Sequence, residues 1–120
     1  MNIIYHLSSC STNKRILAEL PLEQFKLIDI KDHPLSDEEL EGFYKHTSSY
    51  EALINKRAQL FKAEGIAPNG QSEDRYRELL KSHYTYLKRP VIQYQDKLYI
   101  GNAKSTVESL KSHLESTHYY

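Results

Sequence analysis

The chain has few of the residues that stabilise small secreted proteins or bind metals through sulfur. Its 120 residues include one cysteine, Cys10, one methionine and no tryptophan. A single cysteine excludes a disulfide within the chain and a zinc site built from several cysteines. The six histidines include no pair four residues apart, which is the spacing of helical zinc motifs. We therefore expect no bound metal, and we expect the reducing cytoplasm as the compartment.

An excess of charge and a long apolar run are also lacking. Sixteen basic and sixteen acidic side chains cancel, so no net field draws the chain to nucleic acid or to an anionic membrane. No apolar segment approaches the ~18 residues of a membrane-spanning helix, and residues 1–6 do not have the pattern of a secretory signal. We expect neither nucleic acid nor membrane as a direct partner.

Apolar segments and turn residues predict one α/β domain over residues 1–120. A strand at residues 3–5, a small polar loop and a helix stopped by Pro21 precede a second strand at residues 25–30. We expect this second strand to have both faces largely covered. The order β-α-β predicts a parallel crossover.

The middle of the chain is predicted to be helical, and the last third returns to strands. Capping boxes of the form Ser-x-x-Glu predict helix starts at Ser36, Ser48 and Ser105, and Ser72 is expected to cap a further helix. Residues 90–94 and 98–100 are predicted to form a hairpin around residues 95–97. The whole order predicts a thioredoxin-like fold, with a four-stranded mixed sheet and a helical insertion between its β-α-β and β-β-α halves.

Cys10 lies at the junction of the first strand and the first helix. A helix N-terminus offers unpaired N–H groups and the positive end of a dipole, and both favour a thiolate. Ser11 and Thr12 can add hydroxyl donors, and Lys14 and Arg15 add positive charge. Cys10 could instead be a small buried apolar residue, but its neighbours are polar. We predict that Cys10 is a nucleophile that is ionised at neutral pH.

Two further segments carry candidate anion contacts. Arg89 precedes Pro90 at the start of a predicted strand, and its guanidinium can donate two parallel hydrogen bonds to an oxyanion. Asn55 and Arg57 follow an apolar pair between two predicted helices. Taken alone, Arg89 is better explained as a solvated loop charge, and the Asn55–Arg57 segment is uninformative because a charged residue between two helices is usually solvated.

Three segments together resemble the arsenate reductase family of the thioredoxin superfamily. They are Tyr5-His6-x-x-x-Cys10-Ser11-Thr12, Leu53-Ile54-Asn55-Lys56-Arg57 and Leu87-Lys88-Arg89-Pro90-Val91-Ile92. The family includes glutaredoxin-dependent arsenate reductases, Spx-type regulators and unassigned reductase-like proteins, and this chain is most similar to the last group.

The resemblance implies a reductase in which the Cys10 thiolate attacks an oxyanion such as arsenate, or a glutathione mixed disulfide. Arg89 and Arg57 would bind the oxyanion together with Ser11 and Thr12. Pro90 would be a structural cis-proline. No cofactor is expected to stay bound; glutathione is the implied co-substrate, and glutaredoxin or another low-molecular-weight thiol is the implied reductant.

His6 and Asn55 are implied supports of the thiolate, although a strand-end histidine can also lack any role. Asn55 stands where the arsenate reductases have an arginine, and Lys104 follows the hairpin where they carry another. These departures favour thiol chemistry over arsenate as such.

A second function is compatible with the same resemblance. An Spx-like protein would bind RNA polymerase or another partner without catalysis. Spx regulators use a Cys-x-x-Cys switch, whereas this chain has Asn13 three positions after Cys10. Any resolving thiol must therefore come from outside the chain.

Overall fold

The computed structural model describes residues 2–117. These residues group into two compact units, one of residues 2–29 and 89–117 and the other of residues 30–88. One domain over residues 1–120 stays a prediction. None of the helices within the described residues is both long and apolar enough to cross a membrane.

Four strands and five α-helices follow one another within residues 2–117. The order is β1 (Ile3–His6), α1 (Ser11–Leu17), β2 (Lys26–Asp29), α2 (Asp37–Thr47), α3 (Gln59–Ala63), α4 (Glu73–Ser82), β3 (Val91–Tyr94), β4 (Lys97–Ile100) and α5 (Lys104–Thr117). Short 3-10 turns lie at Leu22–Gln24, Glu51–Leu53 and Tyr84–Tyr86.

The first unit is built on a mixed sheet with the strand order β2-β1-β3-β4. The β1–β2 pair is parallel, and the β1–β3 and β3–β4 pairs are antiparallel. This topology confirms the predicted α/β fold of the thioredoxin type. Residues 30–88, the second unit, are the predicted helical insertion between the two halves.

The core of the first unit joins the sheet to α1 and α5. Ile4 and Ile92 are paired across β1 and β3 and are both buried. They belong to one apolar cluster with Ile16 of α1 and with Leu110 and Leu114 of α5. Burying a side chain of this kind contributes about 1.5–3 kcal/mol, so the cluster fixes the end of β1 from which the Cys10 loop leaves.

The expectation that both faces of the second strand are covered is wrong. β2 is the edge strand of the sheet, and Leu27 within it is 43% exposed. The flanking Phe25 and Ile30 are buried, which produces the apolar pattern on which the expectation was based. An apolar run shows that a strand is present but does not show whether it lies at the centre or at the edge of a sheet.

Capping in the second unit follows the sequence in part. Ser36 Oγ accepts the Glu39 N–H at 3.1 Å, and the Ser36 N–H donates to Glu39 Oε1 at 2.9 Å, so the predicted capping box is confirmed. Ser72 Oγ likewise accepts the Arg75 N–H at 3.1 Å. These bonds satisfy N–H groups that a helix start leaves without partners.

The other two predicted capping boxes are wrong. Ser48 has a φ of 52° and ends α2 instead of starting a helix. Its neighbour Ser49 accepts, through Oγ, the N–H of Ala52 in the following 3-10 turn at 3.1 Å. Ser105 lies inside α5, which begins one residue earlier at Lys104.

The hairpin between β3 and β4 is tighter than predicted. Lys97 is already in β4 and pairs with Tyr94, so only Gln95 and Asp96 form the turn. Gln95 has a φ of 56°, a conformation typical of two-residue hairpin turns. The Gln95 N–H donates to Asn2 Oδ1 at 2.9 Å.

Candidate active site

Cys10 is the last residue of the loop that links β1 to α1. It occupies the N-cap position of α1 with extended backbone angles, φ −90° and ψ 116°. Its N–H donates to Leu7 O at 3.0 Å, and its C=O accepts the Lys14 N–H at 3.1 Å. The thiol is free and partly exposed. A cysteine held in this way can react with a small molecule without unfolding of the loop.

The loop that carries Cys10 is closed by a side chain of α1. Asn13 Oδ1 accepts the Leu7 N–H at 2.9 Å. Leu7 therefore uses its C=O for Cys10 and its N–H for Asn13. Asn13 is only 1% exposed. The structure adds this residue to the site; the sequence offered as a signal only a polar residue at the end of the predicted loop.

The sheet register places Pro90 at the same end of the sheet as the Cys10 loop. Tyr5 pairs with Val91 across β1 and β3, so His6 and Pro90 are the next residues along the two antiparallel strands. The peptide bond between Arg89 and Pro90 is cis, as the resemblance implies. Pro90 is buried and its C=O accepts the Gly101 N–H at 2.8 Å.

The polar candidates of the first unit surround this end of the sheet. Ser11 is exposed and Thr12 is half-buried in the first turn of α1. His6 is half-buried and pairs in register with Asp29 of β2. Arg89 is half-buried. The first unit thus carries a thiol, hydroxyl groups, an imidazole and a guanidinium at this end of its sheet.

Asn55 and Arg57 belong to the second unit and form a tight turn there. The Asn55 N–H donates to Tyr86 O at 2.7 Å. Asn55 Oδ1 accepts the Arg57 N–H at 3.1 Å, which is the bond of an Asx turn. Arg57 is exposed. The Asn55 carbonyl oxygen therefore holds the turn, while its amide nitrogen is the group that could support an anion.

Lys56, between these two residues, is engaged elsewhere in the second unit. Its Nζ lies 2.6 Å from Glu51 Oε2 and 2.6 Å from Asn69 Oδ1. The hydrogen bond with Glu51 raises the pKa of Lys56. Lys56 is also exposed, but its charge is paired with Glu51, so Arg57 is the candidate anion contact of this turn.

A short ladder ties this turn to the segment that precedes Pro90. Ile54 and Leu87 form an antiparallel bridge, and the Lys88 N–H donates to Leu53 O at 2.8 Å. Ile54 and Leu87 are buried. Within residues 2–117, no three His, Cys, Asp or Glu side chains come together in a way that could hold a metal ion.

Comparison with known families identifies the family of the chain. Residues 5–110 match the model of the ArsC family, and this range includes Cys10, the Asn55–Arg57 turn and Arg89–Pro90. The chain belongs to the ArsC family. This is a family of thiol-dependent reductases, so the chain is related to oxidoreductases. A comparison with curated proteins gives no significant match.

Solved structures of ArsC relatives have the same fold. An arsenate reductase (ArsC) related protein from Brucella melitensis is 29% identical over 90% of this chain and 92% of its own, with a TM-score of 0.64. A possible arsenate reductase from Streptococcus mutans is 24% identical over 92% and 98%, with a TM-score of 0.71. An arsenate reductase from Vibrio cholerae is 21% identical over 92% and 95%, with a TM-score of 0.71.

Proposed function

We propose that this ArsC family member is a monothiol reductase in which Cys10 attacks an oxyanion of the arsenate class. The observation that carries the proposal is the position of Cys10. It is the only cysteine of the chain, it is partly exposed at a strand–helix junction, and it lies at the same sheet end as the cis Arg89–Pro90 peptide. A thiolate in such a place is an accessible nucleophile.

The proposed chemistry uses two thiols, because reduction of arsenic from the +5 to the +3 state takes two electrons. The Cys10 thiolate first displaces a hydroxyl group of arsenate as water and forms a sulfur–arsenic bond. A glutathione thiolate then attacks the Cys10 sulfur, the electron pair of the sulfur–arsenic bond moves to arsenic, and arsenite leaves. The remaining Cys10–glutathione disulfide is reduced by glutaredoxin or by a second low-molecular-weight thiol.

The candidate positive and polar groups have separate proposed roles, which for Arg57 and Asn55 of the second unit follow from the family resemblance. Arg89 binds the oxyanion through its planar fork, and Arg57 of the second unit supplies a further cation. Ser11 and Thr12 donate from the first turn of α1, while His6 and the Asn55 amide support the thiolate. With Asn55 and Lys104 in place of arginines, the site has fewer forks for arsenate. A glutathione mixed disulfide, which enters the cycle at the same intermediate, is therefore an alternative substrate.

A coupled assay with arsenate, glutathione and glutaredoxin tests the proposal. Wild-type protein should turn over, and Cys10→Ser should not. Rapid alkylation of Cys10, abolished in Cys10→Ser, is expected as a companion result, since it requires an accessible and reactive thiol. Because glutathione and glutaredoxin belong to reducing compartments, we place the protein in the cytoplasm.

Two results would contradict the proposal. One is the absence of turnover with both arsenate and a glutathione mixed disulfide in the presence of active glutaredoxin. The other is binding of purified RNA polymerase by wild type and Cys10→Ser alike, again without turnover, which would favour the Spx-like function.

A further inference from the structure

Asn13 is a buried polar residue whose side chain forms a hydrogen bond to the loop that carries Cys10. It is the one polar side chain that is buried to this degree within residues 2–117, at 1% exposure. Its Oδ1 accepts the Leu7 N–H at 2.9 Å, from a residue six positions away. A buried polar side chain is expected to have its hydrogen bonds satisfied, and an exception calls for an explanation.

The first half of the explanation is the closure of the loop. The Leu7 C=O accepts the Cys10 N–H at 3.0 Å, and the Leu7 N–H is held by Asn13. The C=O of Leu7 is thus fixed by Cys10, and its N–H is fixed by Asn13. Removal of the Asn13 side chain would free the Leu7 N–H and loosen the turn on which Cys10 is carried.

The second half concerns the other end of the same side chain. Asn13 Nδ2 is buried and has no hydrogen-bond acceptor among the described residues. Cys10 is the N-cap of α1, and Asn13, the third residue of that helix, is bonded to Leu7 of the loop that carries Cys10. An unsatisfied buried donor lowers stability, so an acceptor that forms at Cys10 would remove a penalty already present.

We propose that Asn13 is a positioning residue for Cys10, and this inference rests on the proposed reductase function. Oδ1 holds the turn that presents the thiol. Nδ2 is a donor held ready for the Cys10 sulfur once that sulfur is ionised. The chain thereby places a neutral amide at the position where a Cys-x-x-Cys protein has its second thiol.

Alkylation of Cys10 by iodoacetamide between pH 5 and pH 9 tests the inference, because the rate follows the ionised fraction of the thiol. In Asn13→Ala the pH midpoint of the rate should move up by about one unit, and the rate well below the midpoint should fall about tenfold. Asn13→Asp keeps an oxygen for the Leu7 N–H but lacks the donor and adds a negative charge. It should show the same slowing with less loss of thermal stability than Asn13→Ala.

Asn2→Ala is the matched control. Asn2 is likewise an asparagine that binds backbone, but it does so with both ends of its amide. Its Oδ1 accepts the Gln95 N–H at 2.9 Å, and its Nδ2 donates to Gln24 O at 3.3 Å. Its loss should lower the melting temperature without moving the alkylation midpoint. A merely structural role of Asn13 would make the two variants alike.

The outcomes separate the inference from the function on which it rests. Wild-type alkylation profiles in both Asn13 variants, or an equal shift in Asn2→Ala, would overturn the inference even if the enzyme turns over arsenate. Slowed alkylation in the Asn13 variants supports the inference. If it is found in a protein that reduces no substrate, the proposed function fails and the role of Asn13 in Cys10 ionisation stands. If Asn13→Ala does not fold, the profile of Asn13→Leu decides, because leucine is close to asparagine in size and adds neither a donor nor a charge.

Discussion

The carboxylate of Glu73 accepts the backbone N–H of Tyr50 at 2.6 Å. Its second oxygen lies 3.3 Å from the Glu51 N–H. One side chain in the first turn of α4 therefore satisfies two N–H groups at the start of the 3-10 turn Glu51–Leu53. That turn leads directly into Asn55–Arg57, so α4 helps to fix the segment that carries a proposed oxyanion contact.

Glu73→Ala is expected to lower the free energy of unfolding by about 1–2 kcal/mol, because two N–H groups lose a charged acceptor. Urea denaturation followed by circular dichroism measures this. Glu78→Ala is the matched control on the same helix, since the contact of Glu78 is an exposed ion pair with Arg75 at 3.5 Å, which contributes little. Equal losses in the two variants would show that the Glu73 bonds do not stabilise the turn.

Asp37 predicts a dependence of stability on acidic pH. Its carboxylate lies 2.6 Å from Lys81 Nζ and 2.8 Å from Arg77 Nη2, and the hydrogen bond with Lys81 is the main cause that lowers the pKa of Asp37. A lowered pKa in the folded state gives stability above the unfolded value. That stability is lost as the pH falls below about 4.

Asp37→Asn should therefore lower the melting temperature slightly at pH 7, and its difference from wild type should shrink as the pH falls below about 4. The difference at pH 7 should shrink in 1 M NaCl, because salt screens exposed charges. Asp74→Asn, an exposed aspartate in the first turn of α4, is the control. A difference from wild type that persists undiminished at pH 2.5 would exclude the ion pairs as its cause.

Tyr86 predicts the opposite behaviour at alkaline pH. It is fully buried and donates its hydroxyl to Glu64 Oε1 at 3.0 Å. Burial, followed by the bond to Glu64, raises the pKa of Tyr86. A raised pKa in the folded state gives stability that is complete below the unfolded value of about 10 and is lost as the pH rises above it.

Tyr86→Phe should unfold at lower temperature than wild type at pH 7. The lost hydrogen bond should lower the free energy of unfolding by about 1 kcal/mol. The gap should narrow as the pH rises above about 10, because phenylalanine has no proton to lose. Tyr44→Phe, at an exposed position, should follow wild type throughout. Parallel melting curves of Tyr86→Phe and wild type from pH 7 to pH 11 would contradict the assignment.

The sequence predicted the elements whose signals are local. Ser36 with Glu39 forms a complete capping box in four residues, and the hairpin strands surround an obvious turn. Ser48 and Ser105 have the same pattern, but the pattern does not show where the preceding helix ends, as at Ser48, or whether the helix has already begun, as at Ser105. Strand order likewise depends on tertiary pairing, so the exposure of Leu27 was not visible in the sequence.

The candidate site divides in the same way. The position of Cys10 at a strand–helix junction followed from the local pattern, and the cis bond before Pro90 followed from the resemblance. The closure of the loop by Asn13 required coordinates, because the bond to Leu7 spans six residues and depends on the side-chain direction. The engagement of Lys56 by Asn69 was also invisible, since it joins residues thirteen positions apart.

The two proposed oxyanion contacts, Arg89 and Arg57, should contribute unequally to the KM for arsenate. Arg89→Ala should raise the KM for arsenate about 10- to 100-fold, because a lost charge-assisted hydrogen bond is worth roughly 1.5–3 kcal/mol. Arg57→Ala should raise it less, since Arg57 is exposed and exposed charges are screened. Lys88→Ala, at an exposed position next to Arg89, should leave the KM unchanged. Steady-state kinetics of the coupled assay measures all three, and an unchanged KM in Arg89→Ala would remove Arg89 from the site while leaving the Cys10 chemistry intact.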